Sequence, residues 1–472
     1  MAQPGTADQP LRVAIVGSGP SGFYAAGHLL SAKEVTVEVD MFDSLPTPWG
    51  LVRAGVAPDH PNIKAVSRVF EKTAAKQGFR FFGNVTIGSD IEQAELERRY
   101  HAVIYACGAQ TDRHMGIPGE DLPGSRPATE FVAWYNGHPD FRDLDFDLSG
   151  NTALIVGNGN VAMDCARMLA LAPDELAKTD VADHALEVLR ASAITDIVIL
   201  GRRGPAQAAF TNPELLEMAD LEEADVIVDS ADMTLDEASA ASIDEEGELT
   251  ARRNVEILGE FAAKEPQGRP KRVHFRFLVS PVAIEGDGRA QRMEIVHNEL
   301  YVADDGAIRP RPTERREVID GDLVLRSIGY KGVASPGVPF DERRAVIPND
   351  AGRVLHEPDG DHVGGLYCVG WIKRGPTGVI GTNKKDAHET VEMILEDLEH
   401  GRLPEPADPD SAAVEALVTE RKPDHVTYVG WEAIDAVEKS LGEPQGRPRV
   451  KLCSRDELLE AAKNGGAEAR AA

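Results

Sequence analysis

Gly17, Gly19 and Gly22 stand in the run Gly17-Ser18-Gly19-Pro20-Ser21-Gly22, a G-x-G-x-x-G spacing near the start of the chain. That spacing has a defined chemistry. The first glycine permits a tight turn, the second lets backbone approach a pyrophosphate, and the third lets a helix pack closely on a strand. The N-terminus of the helix adds positive potential for the phosphates. An acid ending the next strand would accept hydrogen bonds from ribose hydroxyls, and Asp43 stands there. A bare tight turn is the plain alternative, but strand, helix and acid arrive together here.

The pattern recurs at Gly157-Asn158-Gly159-Asn160-Val161-Ala162, with alanine at the permissible last position. Its next strand ends in Gly201-Arg202-Arg203 rather than in an acid. Two guanidiniums suit a 2′-phosphate, so the second nucleotide is expected to be NADP rather than NAD. Two such sites in one chain suggest a nicotinamide and flavin pair. That chemistry brings nicotinamide C4 onto flavin N5 and asks for neither a metal nor a strong nucleophile. No H-E-x-x-H and no G-x-S-x-G is present, so no metal site is expected. Cys107, Cys165, Cys368 and Cys453 are scattered without a C-x-x-C pair, against a near-neighbour dithiol, an iron–sulfur cluster or a disulfide framework.

The elements that would position these loops are legible. Residues 11–17 read as a short buried strand, 21–32 as a helix and 35–42 as a second strand, which is a βαβ unit. Residues 79–87 and 102–107 read as further strands. A second unit opens at Thr152, with a helix at 161–171 and a strand at 197–200 after a charged helical insertion over 172–193. The acidic stretch 220–265 reads as a surface excursion, and 273–284 and 293–302 alternate like antiparallel strands. Residues 323–328 form another buried run. After Gly365 a strand and the helix 386–398 lack a glycine fingerprint of their own and should complete the first unit. The expected fold is α/β: two Rossmann-like domains, the NADP domain inserted in a discontinuous FAD domain, divided as 1–110, 111–330 and 331–472. A Pro-rich linker at 401–413 leads to a small helical tail.

The net charge of −29, from 50 basic against 79 acidic residues, argues against nucleic-acid or anionic-membrane binding. No window reaches membrane-span length and the start resembles no signal peptide, so a cytoplasmic protein is expected.

Pro48-Trp49-Gly50-Leu51-Val52-Arg53, continuing as Ala54 to Pro61 (A-G-V-A-P-D-H-P), is far more specific than a glycine loop. With Gly370 to Lys384 (G-W-I-K-R-G-P-T-G-V-I-G-T-N-K), it resembles the adrenodoxin reductase family, and most of all NADPH–ferredoxin reductases of actinobacterial type. The likeness runs from about Val13 to Lys451. The resemblance implies FAD held by Ser21, Asp43, Leu51, Ile87, Trp371, Gly378, Val379 and Ile380. Asp43 stands where many members carry glutamate. It implies NADP held by Arg113, Asn158 to Val161, Arg202, Arg203 and Glu214. It makes His60 and Glu217 a pair beside flavin and nicotinamide, supporting hydride transfer by position and charge. The implied partner is a separate, acidic ferredoxin-type iron–sulfur protein, expected on a local basic surface with Arg252, Arg253, Lys271 and Arg272 as candidates. Rival readings are a disulfide reductase, disfavoured by the missing C-x-x-C, the reductase arm of a larger complex, a flavin reductase with another acceptor, and a non-catalytic flavin and NADPH sensor.

Overall fold

In the computed structural model, residues 4–244 and 249–471 are described, with side chains as far as 463. The opening run L-R-V-A-I-V is buried almost throughout because both of its faces are covered, and it forms the strand Leu11–Val16. It pairs in parallel with Val37–Phe42 on one side and Ala102–Tyr105 on the other. Phe79–Phe82 extends the sheet beyond Val37–Phe42, and this strand is shorter than the sequence pattern predicts.

The other end of that sheet comes from far along the chain. His362–Cys368 pairs in parallel with Ala102–Tyr105, and Arg353–Leu355 and Asn349–Asp350 follow antiparallel to give seven strands. The helices Pro20–Leu29 and Thr382–Glu399 pack against one another. The C-terminal strand and helix therefore complete the first unit, as the absence of a glycine fingerprint after 365 implies.

Between them lies a six-stranded parallel sheet ordered Ser125–Pro127, Leu323–Arg326, Thr152–Val156, Asp196–Leu200, Lys271–Arg276 and Ala224–Val228. Two sequence expectations are corrected here. The stretch 220–265 is not merely a surface excursion: Ala224–Val228 forms the edge strand, and the helix Leu249–Ala262 buries Asn254, Ile257, Leu258 and Phe261. Its apolar residues are too sparse among acids to show in a composition window, yet they recur at helical spacing. The run 273–284 is also not one antiparallel strand. Its first part belongs to Lys271–Arg276, which is parallel, and only Val279–Glu285 joins the antiparallel sheet with Arg292–Val302 and Ile308–Asp320. A left-handed residue, Leu278 (φ 56°), separates the two.

The two segments that cross between the sheets run side by side: Thr111–Asp112 pairs antiparallel with Tyr330–Lys331. The tail adds helices Ser411–Arg421, Tyr428–Gly442 and Arg455–Ala471. Between the last two, Arg447 donates to Thr179 O at 3.0 Å and to Asp183 Oδ1 at 2.5 Å, tying the tail to the inserted unit. The 1%-exposed Lys451 side chain reaches Asn136 Oδ1 at 3.0 Å and Asp180 Oδ2 at 3.4 Å, and Asp180 Oδ1 also pairs with Lys64 at 2.5 Å. Arg53 meets the fully buried Glu438 through two hydrogen bonds, at 2.8 and 2.5 Å.

Candidate active site

Both glycine turns are built alike. Gly17 has φ 108°, and a Cβ there would lie 2.6 Å from Ala106 O; Gly157 has φ 125°, with Ser327 O 2.1 Å from its would-be Cβ. A Cβ on Gly22 would meet Gly17 O at 2.3 Å. These glycines are therefore fixed by close backbone approach. Gly19 and Gly159 differ, for a Cβ on either would meet no atom within 4 Å. They are the N-caps of the helices Pro20–Leu29 and Asn160–Ala170, and neither helix start receives a side-chain cap. An uncapped helix N-terminus facing open space fits a diphosphate, so both turns fit the nucleotide groups expected of them.

Around the first turn the specific sequence blocks converge. Trp49 N–H donates to Ser18 O at 2.9 Å, and the would-be Cβ of Gly50 lies 2.9 Å from Gly19 Cα. Gly370, with φ 78°, leaves room for Ser21, whose Oγ would be 2.1 Å from a Cβ there. Leu51 is 37% exposed beside this turn, and Ile87 is partly buried, bridging to Ile91. The Asp43 carboxylate is occupied: Oδ2 accepts from Ser18 N at 2.9 Å and Ser18 Oγ at 2.5 Å, and Oδ1 from Leu45 N at 2.9 Å. Burial raises its pKa while these donors hold it down. Asp43 thus also braces the turn, through contacts that its place at the end of a strand did not disclose.

Trp371 Nε1 donates to Thr377 O at 3.2 Å, folding the segment Gly375–Gly381 back on the indole. Gly378 has φ 78°, Val379 is 54% exposed, and Ile380 packs against the core around the strand Leu11–Val16. The Trp371 ring meets Tyr330 at 5.2 Å between centroids.

Around the second turn, Asn160 Oδ1 accepts from Thr211 N at 2.8 Å and so anchors the start of the short helix Asn212–Glu217. Arg202 is exposed and Arg203 half-buried, and among the described residues neither has a carboxylate partner. Burial and then Arg202 lower the pKa of Arg203, which marks two like charges left uncompensated. Arg113, exposed, borders Gly329, and it too has no acidic partner among the described residues.

His60 and Glu217 do meet. His60 Nε2 lies 2.7 Å from Glu217 Oε2, joining residues from the two sides of the molecule. Glu214 Oε2 is 3.9 Å from the same nitrogen, and Asp164 Oδ1 is 3.8 Å from Nδ1. Sequence reasoning missed Asp59, Asp164 and Arg167. Arg167 donates to Asp59 Oδ2 at 3.0 and 2.5 Å and to Glu217 O at 2.7 Å. Their signal was available: Asp164 and Arg167 are charged positions, three apart, on the otherwise apolar helix V-A-M-D-C-A-R-M-L, and both are buried. Burial raises the pKa of Asp164 well above the carboxylate range, with Glu214 and Asp59 adding repulsion. Burial likewise raises Glu214, and His60 opposes the shift.

The candidate basic surface is not free. Arg272 pairs with Asp196 at 2.5 Å, and Lys271 donates to the carbonyls of Leu169 and Leu171 at 2.8 and 3.3 Å. Arg252 meets Asp244 at 3.4 Å and Arg253 meets Glu256 at 2.8 Å. All four cysteines are free, and all but Cys107 are buried.

Residues 11–199 match the model of the pyridine nucleotide-disulphide oxidoreductase family. NADPH-ferredoxin reductase FprA of Mycobacterium tuberculosis is 50% identical over 96% of this chain and 99% of its own. This chain belongs to the family of FprA and adrenodoxin reductase. The mitochondrial NADPH:adrenodoxin oxidoreductase of Arabidopsis thaliana is 42% identical over 97% of the chain and 96% of its own. A solved structure of M. tuberculosis FprA in complex with NADPH superposes with a TM-score of 0.91 at 48% identity, covering 96% of this chain and 100% of that one. The FprA fold thus extends over nearly the whole length.

Proposed function

We propose that this chain is an NADPH-dependent flavoprotein reductase of the ferredoxin–NADP reductase type, with FAD at the first glycine turn and NADP at the second. The bound pair would supply hydride transfer from NADPH to FAD and then single electrons to a separate ferredoxin-type iron–sulfur protein. The observation that carries the reading is the 2.7 Å contact of His60 with Glu217, made between a residue that follows the first turn and one that follows the second.

In this reading Gly17, Gly19, Ser21 and Gly22 receive the flavin diphosphate, with Asp43, Leu51, Ile87, Trp371, Gly378, Val379 and Ile380 around the remainder. Gly157 to Val161, Arg113, Arg202, Arg203 and Glu214 hold NADP. His60 and Glu217 place charge beside the reacting carbons, and Arg167 with Asp59 fixes their geometry. Hydride itself needs no general base, so their work is orientation and electrostatics. The division 1–110, 111–330 and 331–472 follows the paired crossing strands Thr111–Asp112 and Tyr330–Lys331.

An acidic iron–sulfur partner would dock at Arg252 and Arg253. Their ion pairs are exposed on both sides, and such pairs are worth little, so a partner carboxylate can replace the local one. Lys271 is removed from this surface by its bonds to the Leu169 and Leu171 carbonyls, and Arg272 is held by two hydrogen bonds to Asp196 where Arg252 and Arg253 make one each to a carboxylate. Among the described residues no helix is long and apolar enough to cross a membrane, and we place the enzyme in the cytoplasm.

Anaerobic titration tests the reading: flavin absorbance should bleach with NADPH at far lower concentration than with NADH. A colourless protein that cannot be reconstituted with FAD would end it. A yellow protein that ignores both nucleotides would favour the sensor.

A further inference from the structure

The surroundings of His60 are richer in carboxylate than hydride transfer requires. Asp59, Asp164, Glu214 and Glu217 all lie within 4.0 Å of its ring nitrogens, with Arg167 the one cation among them. Buried oxygens there are unpaired: Asp59 Oδ1, Asp164 Oδ1 and Glu214 Oε2 have no hydrogen-bond partner. Glu214 is 8% exposed, and its Oε2 is aimed at His60 Nε2. A buried acceptor without a donor is costly unless something positive takes it up.

We propose that His60, Glu214 and Glu217 form an inhibitory site for a divalent transition cation of the zinc type. Their three donor atoms, His60 Nε2 and one carboxylate oxygen from each glutamate, lie within 4.8 Å of one another. Metal bonds of about 2.0–2.2 Å in a tetrahedron put donor atoms roughly 3.4 Å apart. The 2.7 Å contact to Glu217 has to open and the 3.9 Å gap to Glu214 has to close. Glu214 and Glu217 are three apart on one short helix, hence on one face, and the Glu217 side chain is 37% exposed and able to move. That exposure also leaves a fourth position for water.

The other ring nitrogen supplies the independent support. Nδ1 faces the unpaired Asp164 Oδ1 at 3.8 Å, beyond hydrogen-bond reach, so a shift of the ring toward it would supply the carboxylate that fixes the tautomer and orientation of a metal-bound imidazole. One nitrogen and two carboxylate donors with an open position suit zinc; magnesium and calcium prefer six or more oxygens. The ion would tie His60 to Asn212–Glu217 across the two units and remove the His60–Glu217 contact. The inhibition, though not the binding, rests on the hydride-transfer reading above.

The test is calorimetric titration of FAD-loaded enzyme with zinc chloride alone, beside His60→Gln and Glu214→Gln variants whose flavin spectra confirm folding. One zinc per chain should bind at this site, with affinity falling at least about tenfold in each variant. Magnesium should not compete. His388→Ala, which removes a surface imidazole tilted against His28, should leave this site intact. Zinc should also slow NADPH-driven flavin bleaching, and a chelator should restore it. Absence of zinc binding, or equal affinity in wild type and both variants, overturns the site. Binding without slowed bleaching overturns the inhibition. Bleaching measured without zinc judges the hydride-transfer reading separately.

Discussion

Ser21 and Gly370, separated by most of the sequence, fit together so closely that a Cβ on Gly370 would lie 2.1 Å from Ser21 Oγ. The glycine also has φ 78° and ψ −145°, close to a region reserved almost wholly for glycine, where a side chain adds about 1–3 kcal/mol of strain. Gly370→Ala should therefore displace Ser21 from the uncapped helix start. The purified variant should carry less flavin per chain and melt at a lower temperature, as absorbance and thermal unfolding will record.

Arg202 and Arg203 have no local acid to satisfy them. If they receive a 2′-phosphate, each charge-assisted contact is worth about 1.5–3 kcal/mol. Arg202→Ala or Arg203→Ala should raise the KM for NADPH by roughly 10–100-fold. NADH, lacking that phosphate, should be used about as before. Steady-state kinetics with both nucleotides separate the two effects.

The His60–Glu217 contact makes a prediction about rate rather than cofactor content. Glu217→Gln keeps a hydrogen bond but removes the charge, and should slow NADPH-driven flavin reduction by about tenfold, on the order of 1.4 kcal/mol of barrier. FAD content should stay at the wild-type level. Stopped-flow bleaching at saturating NADPH reads the step directly.

The tail clamp is expected to be pH-dependent. Burial lowers Lys451 from 10.5 to about 7, and Lys451 with Lys64 helps hold Asp180 down at about 2. Between pH 7 and 10.5 the unfolded chain binds more protons at Lys451 than the folded one, so this group's contribution to stability rises with pH there. The Asp180 contribution is present above its ordinary value of 3.8 and is lost as pH falls toward 2. Asp180→Asn strands the buried Lys64 ammonium and whatever of Lys451 is still protonated, and should cost about 3–5 kcal/mol at pH 6.5. The loss should shrink by pH 9, where Lys451 is neutral in the fold. Denaturant melts of both proteins at pH 6.5 and pH 9 will show whether it does.

What could be read in the sequence followed from local rules. Gly17 and Gly157 were legible because a tight strand-to-helix turn demands glycine at fixed offsets, and the place of Arg202 with Arg203 because they follow the end of a strand. The strand Ala224–Val228 was not: it pairs with Lys271–Arg276, more than forty residues on, and it is hidden in an acidic stretch. Asp43 was legible in place, but its engagement by Ser18 and Leu45 was not. Asp164 and Arg167 stood out as charges on an apolar helix, but what they do, with Asp59, needed three dimensions, because it lies in a histidine a hundred residues away from two of them.

The seven-stranded sheet has a consequence for biosynthesis. Ala102–Tyr105 leaves the ribosome long before His362–Cys368, the strand that pairs along its free side. In the interval the nascent chain presents an unpaired apolar edge, the kind of surface that chaperones bind and that drives aggregation. The six-stranded sheet, contained wholly within 125–326, has every strand it needs by then. Translation therefore completes the middle of this protein first and its beginning last.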